Sequence, residues 1–160
     1  MTDIRITRDF PHAPAKVWRA VTDPEIVALW TATGRGGRPE GFSPTVGAHF
    51  RFVGKPVPGW SGVVECEVRE VREPTLLRYS WRGDENGATT EVTYRLEAHG
   101  GGTRFTYEHT GFRGIGGFFM ANLVLGPVRR RMLDKGLPAI LDDVDDEGQL
   151  RPGTTLKPSS

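Results

Sequence analysis

Apolar and polar residues alternate with a period of two through the middle of the chain. Ala48, Phe50 and Phe52 alternate with His49 and Arg51, and Gly62, Val64, Cys66 and Val68 with Val63, Glu65, Glu67 and Arg69. Leu77, Tyr79 and Trp81 alternate with Arg78, Ser80 and Arg82, and Val92, Tyr94 and Leu96 with Thr93, Arg95 and Glu97. Phe105, Tyr107 and His109 alternate with Arg104, Thr106 and Glu108. This pattern predicts five hairpin-linked antiparallel strands with one apolar, aromatic face and one charged face wet by solvent. Turns are expected at Glu73-Pro74, Gly83–Gly87 and Gly100–Gly102. Ile4 and Ile6 against Arg5 and Thr7 predict a further strand over residues 3–10.

Helical spacing appears twice. Val17, Trp18 and Val21 follow Pro14, a residue suited to a first helical turn because its missing N–H costs nothing there. Thr22-Asp23-Pro24-Glu25 then reads as a second start signal, with Ile26, Val27 and Trp30 as the apolar side of another short helix. Residues 31–45, rich in glycine, proline and charge, are expected to form an exposed loop. The longest helical pattern is Gly114–Glu147, where Phe118, Leu125, Met132, Leu133, Leu137, Ile140, Leu141 and Val144 share one broad stripe. Pro127 and Pro138 are expected to kink this helix, and the acids from Asp142 to Glu147 to fray its end.

Counting faces gives the architecture. One strand, two short helices, five strands and one long helix leave a single greasy sheet face and a single greasy helix face, so the sheet must curl around the terminal helix. The expected class is α+β. The expected layout is one domain over residues 1–147, followed by a disordered tail at 148–160, where GQLRPGTTLKPSS offers too little apolar area to offset ordering.

Composition narrows the functional classes. The chain has 160 residues, and its formal net charge of +1 gives no global field for nucleic acid or an anionic membrane. The apolar run from Ile115 to Val128 stops at Arg129–Arg131, short of the roughly 20 residues that span a bilayer. Membrane contact is therefore not expected. The start, MTDIRITRDF, has no apolar signal core, which points to the cytoplasm. Cys66 is the only cysteine, and His12, His49 and His99 are scattered, so neither a disulfide nor a metal site is expected. GIGGFF and the glycines from Gly34 to Gly41 lack a dinucleotide fingerprint, and no cofactor is expected.

Several residues together resemble a family. They are Val17-Trp18-x-Ala20-x-Thr22-Asp23-Pro24-Glu25 with Trp30, Gly47 before Phe50-x-Phe52, Gly101-Gly102-Thr103, and His109-x-Gly111-Phe112 before the last helix. The chain resembles the START-like (SRPBCC, helix-grip) superfamily, in the branch of homologues of the heat-shock protein 90 ATPase activator. The resemblance implies a curved antiparallel sheet wrapped around a long C-terminal helix. It leaves function open among lipid and hormone carriers, polyketide cyclases and co-chaperone domains. Gly126-Pro127 and Pro138 interrupt what is usually a continuous helix in that superfamily.

The reading adopted from these features is a binding module that holds a small hydrophobic molecule between sheet and helix. Its wall would be Phe50, Phe52, Tyr79, Trp81, Tyr94, Phe105, Tyr107, His109 and Leu125. Tyr79, Tyr94, Tyr107 and His109 would be its polar points. Two alternatives stand beside it. One is a polyketide cyclase- or dehydratase-like enzyme with His109 moving a proton; the other is a co-chaperone-like interaction domain with a protein partner not identified by sequence. His109 suits a buried, hydrogen-bonded structural histidine more readily than a chemical role, and Cys66 an inert small hydrophobe rather than a nucleophile.

Overall fold

The computed structural model describes residues 4–23, 25–27, 30, 38–53, 63–82, 89–111 and 126–142. Seven strands form one antiparallel sheet: β1 (Ile4–Phe10), β2 (Arg38–Glu40), β3 (His49–Val53), β4 (Val63–Arg72), β5 (Leu76–Trp81), β6 (Thr90–His99) and β7 (Gly102–Thr110). Their order is β1-β7-β6-β5-β4-β3-β2, so every neighbour from β2 to β7 is a sequence neighbour and only β1 crosses to the far edge. Helix α1 (Pro14–Thr22) follows β1, with Pro14 in its first turn as expected. A second helical stretch includes residues 25–27 and Trp30. Asp23, rather than Thr22, caps it: its side-chain oxygen accepts from Glu25 N–H at 3.0 Å, while the Thr22 hydroxyl turns back to the Trp18 carbonyl at 2.7 Å.

Two features of the sheet depart from the alternation pattern. Residues 38–40 lie within the segment expected to be an exposed loop, yet they pair with β3 as an edge strand, Pro39 opposite Phe52. Three residues at an edge leave no room for a period, and an edge is where a strand tolerates proline. In β4 a bulge follows Val68, so that Glu70 pairs with Arg78 and Arg72 with Leu76. The extra residue shifts the phase, turning Glu70 and Arg72 to the outer face and Val71 toward the core.

The C-terminal helix is described from Gly126 to Asp142 as Gly126–Arg131, a π-helical turn Met132–Gly136, and Leu137–Asp142. At the π turn Leu137 N–H reaches the Met132 carbonyl, five residues back. The widened turn comes just before Pro138, a residue that lacks a donor and would crowd a carbonyl four residues earlier. The chain accommodates Pro138 with this π turn, a local irregularity of the kind at which helices bend. Met132, Leu133, Leu137, Ile140 and Leu141 are buried, as the stripe requires. Phe118, Leu125, Val144 and the expected tail lie outside the described residues. No helix among the described residues is long and apolar enough to cross a membrane.

An ion pair and a His–Asp contact tie this helix to the start of the chain. Arg8 Nε donates to Asp134, with a second contact from Nη2 at 3.4 Å, and His12 Nε2 lies 3.4 Å from Asp142. The Arg8 hydrogen bond holds the Asp134 carboxyl below its usual range, against the opposing effect of burial. A carboxyl depressed in the folded state stabilises fully above its unfolded pKa and ceases to do so as pH falls through the folded one. Both partners are more than a third exposed, so screening holds the contribution to about 1 kcal/mol or less. Urea unfolding from about pH 5 down to 2.5 should therefore show Asp134→Asn less stable than the parent at the upper end and converging on it at the lower. A constant gap between the two across that range would contradict this.

Candidate functional site

The inner face of the sheet is an aromatic wall. Alternation aims Phe50 and Phe52 of β3, Tyr79 and Trp81 of β5, Tyr94 of β6, and Phe105, Tyr107 and His109 of β7 to the same side; all are buried except Trp81, which is partly buried. Register then sets who meets whom, with Tyr94 directly opposite Tyr107. Ring centroids run in an unbroken series: Phe52–Trp81 5.6 Å, Phe50–Tyr79 5.2 Å, Tyr79–Tyr94 5.7 Å, Tyr94–Tyr107 5.7 Å and Tyr94–Phe105 5.5 Å. Tyr79 and Tyr94 meet edge to face at 89°, an arrangement their quadrupoles favour. Phe42, from the stretch between β2 and β3, adds an edge contact on Phe50 at 4.9 Å.

The polar groups in the wall sit in two places. The hydroxyls of Tyr79 and Tyr94 hydrogen-bond each other at 3.0 Å. Burial, and then the neighbouring Tyr94, Tyr107 and Cys66, push the Tyr79 hydroxyl well above the usual tyrosine range, so it stays a neutral hydroxyl. His109 is fully buried beside Trp81, ring centroids 5.4 Å apart, and its Nε2 is 2.7 Å from Thr90 Oγ1. The Thr90 hydroxyl is also 3.2 Å from the Trp81 carbonyl. A hydroxyl has one proton, so Thr90 donates either to the Trp81 carbonyl or to Nε2 of His109, and the imidazole tautomer follows from which.

The structure brings together eight of the nine expected wall residues; Leu125 lies outside the described residues. Thr90 was not among them, although the alternation of Val92 and Tyr94 extended back by one period reaches it. Where Phe42 and Phe50 meet Val21, Val27, Leu77 and Tyr79, the space left is about 10 Å³, room for about one water. A ligand-sized cavity is thus not present at this part of the wall. Among the described residues no group of three His, Cys, Asp or Glu side chains is placed to hold a metal ion.

Comparison with known proteins follows the fold. Residues 11–117 match the family described as Activator of Hsp90 ATPase homolog 1-like protein. The solved structure of protein MLL2253 from Mesorhizobium loti is similar with a TM-score of 0.74 and 26% identity, over 89% of this chain and 98% of that one. DynU16, a protein of the dynemicin biosynthetic locus, is similar with a TM-score of 0.70 and 22% identity; the match covers 89% of this chain and 48% of DynU16. CalU16 from Micromonospora echinospora is similar with a TM-score of 0.66 and 22% identity, over 94% of this chain and 77% of that one. No curated protein matches the chain.

Proposed function

The chain belongs to the family of Activator of Hsp90 ATPase homolog 1-like proteins, with the curled START-like sheet, and on that premise we propose that it binds a small, mostly apolar molecule against its aromatic wall. The observation that carries the reading is the wall itself: rings from four strands in continuous contact, with a hydroxyl pair, Tyr79 and Tyr94, at its middle. Core packing alone needs apolar volume; it does not need two phenolic hydroxyls held together at its centre. A ligand burying about 300 Å² there gains about 7–8 kcal/mol before entropic losses, at about 25 cal/mol per Å².

Because the space at Phe50 is about 10 Å³, entry requires a side chain to move. Phe42 is the one best placed to do so. It is half-buried and sits on a stretch bounded by Gly41 and Gly47, both with left-handed backbone (φ 81° and 88°). The neutral fluorophore N-phenyl-1-naphthylamine tests this. The parent protein should enhance its fluorescence, Phe42→Ala should bind it at least about threefold more tightly by removing the plug, and Arg51→Gln on the outer face should leave binding unchanged. No enhancement with either the parent or a folded Phe42→Ala protein would end the reading.

The second reading, a polyketide cyclase-like enzyme, is kept by the fold shared with a protein of a biosynthetic locus. Under it His109, hydrogen-bonded to Thr90, would be the residue that moves a proton. An interaction domain that docks through an apolar patch has less support. Among the described residues, Val46 is the one large apolar side chain that stands exposed.

A further inference from the structure

The outer face of the sheet holds a groove of about 320 Å³, within the size range of small-ligand sites. Four arginines from four strands line it, Arg5 of β1, Arg72 of β4, Arg95 of β6 and Arg104 of β7, against one carboxylate, Glu97. Register explains the convergence. Arg72, Leu76 and Arg95 are direct cross-strand partners, so the two guanidinium stems flank Leu76 across about 10 Å of sheet and leave that leucine 9% exposed as a floor. The bulge after Val68 is what delivers Arg72 to this face, since unbroken alternation from inward Val68 would turn residue 72 inward.

The arginines are unequally engaged. Arg104 is held by Asp9 at 3.0 Å, and Arg72 by Glu70 at 2.9 Å, a carboxylate it shares with Arg78. Arg5 and Arg95 share Glu108 at 4.0 and 3.4 Å, both beyond ordinary hydrogen-bond length, and their side chains are 73% and 58% exposed. Three carboxylates thus serve five guanidinium groups along this face. The rim acids keep the net excess small, so what recommends the groove is a set of planar donor forks around a recess rather than a strong field.

We propose that this groove binds a small polyanion, a molecule presenting two or more phosphate or carboxylate groups, with Arg72 and Arg95 as the paired forks. The site lies on the face opposite the aromatic wall, and its fate is independent of the reading above. Calorimetric titration at about 50 mM ionic strength, with pyrophosphate and citrate as separate probes, distinguishes a phosphate from a carboxylate ligand. At least one probe should bind, and raising the salt should weaken it. Arg72→Gln and Arg95→Lys should each weaken it about fivefold or more, the second because lysine keeps the charge and loses the fork. Arg51→Gln, a charge removed from the same outer face but outside the groove, should change it less than about twofold. Melting curves confirm that each variant is folded. Absence of binding by both probes would overturn the proposal. So would Arg95→Lys binding like the parent, or Arg51→Gln weakening binding as much as Arg72→Gln.

Discussion

Adding one methyl group at position 102 is expected to lower stability by about 3 kcal/mol or more, beyond the usual range for a change from glycine to alanine. Gly102 opens β7, and a Cβ there would lie 2.1 Å from the Phe10 carbonyl oxygen and 3.1 Å from both the Phe10 carbonyl carbon and Pro11 Cα. All three are backbone atoms, so no side chain can swing aside. Relief requires the end of β1 to move, yet that end is pinned: Phe10 pairs with Thr103, and the Thr103 hydroxyl donates to the His12 carbonyl at 2.7 Å. Gly101 is the internal comparison. Its φ of 83° makes alanine strained, but the space around it is open, so Gly101→Ala should cost only about 1–2 kcal/mol. Urea unfolding of both variants measures the difference; a Gly102→Ala protein at least as stable as Gly101→Ala would mean that β1 leaves the sheet by another path.

Trp30→Ala should be comparably damaging, about 3–5 kcal/mol, as the largest fully buried side chain among the described residues. Trp30 anchors the second helical stretch under α1 in two ways. Its ring fills core volume in the cluster that also holds Val17 and Val21, and its Nε1–H donates to the Ala20 carbonyl at 2.9 Å. Trp30→Phe separates the two contributions, because it retains most of the apolar area and removes the donor; its cost should be nearer 1–3 kcal/mol. If Trp30→Phe proved as destabilising as Trp30→Ala in thermal unfolding, the hydrogen bond rather than the volume would be the anchor.

Alternation read the sheet well because one face is wet. Most outward residues are polar, and a one-residue error would have placed Arg95 or Glu108 in the core. The same logic made the aromatic wall legible, and the terminal stripe located Met132, Leu133, Leu137, Ile140 and Leu141. What escaped has local causes. β2 is too short to show a period, and the bulge in β4 is a backbone event with no residue signature in REVR. The π turn before Pro138 changes the path of the helix while leaving the same residues buried. At the candidate site, residue types were readable but free volume was not. Volume depends on how rings such as Phe42 and Phe50 interlock, which no one-dimensional pattern records.

The position of β1 at the far edge has a consequence for biosynthesis. Ile4 pairs with His109, about 100 residues later in the chain, whereas β3 through β7 can each pair with the strand just made. At about 5–20 residues per second the first strand therefore waits roughly 5–20 s for its partner, its Ile4 and Ile6 side chains without their native cover. Closure of the sheet is the long-range step, the one whose loop entropy must be met before any contact rewards it, and it falls late by construction. A chain arrested before Thr103 has emerged would hold a hairpin array with β7 missing and an unpaired first strand, the form in which this protein is most exposed to pairing with another copy of itself.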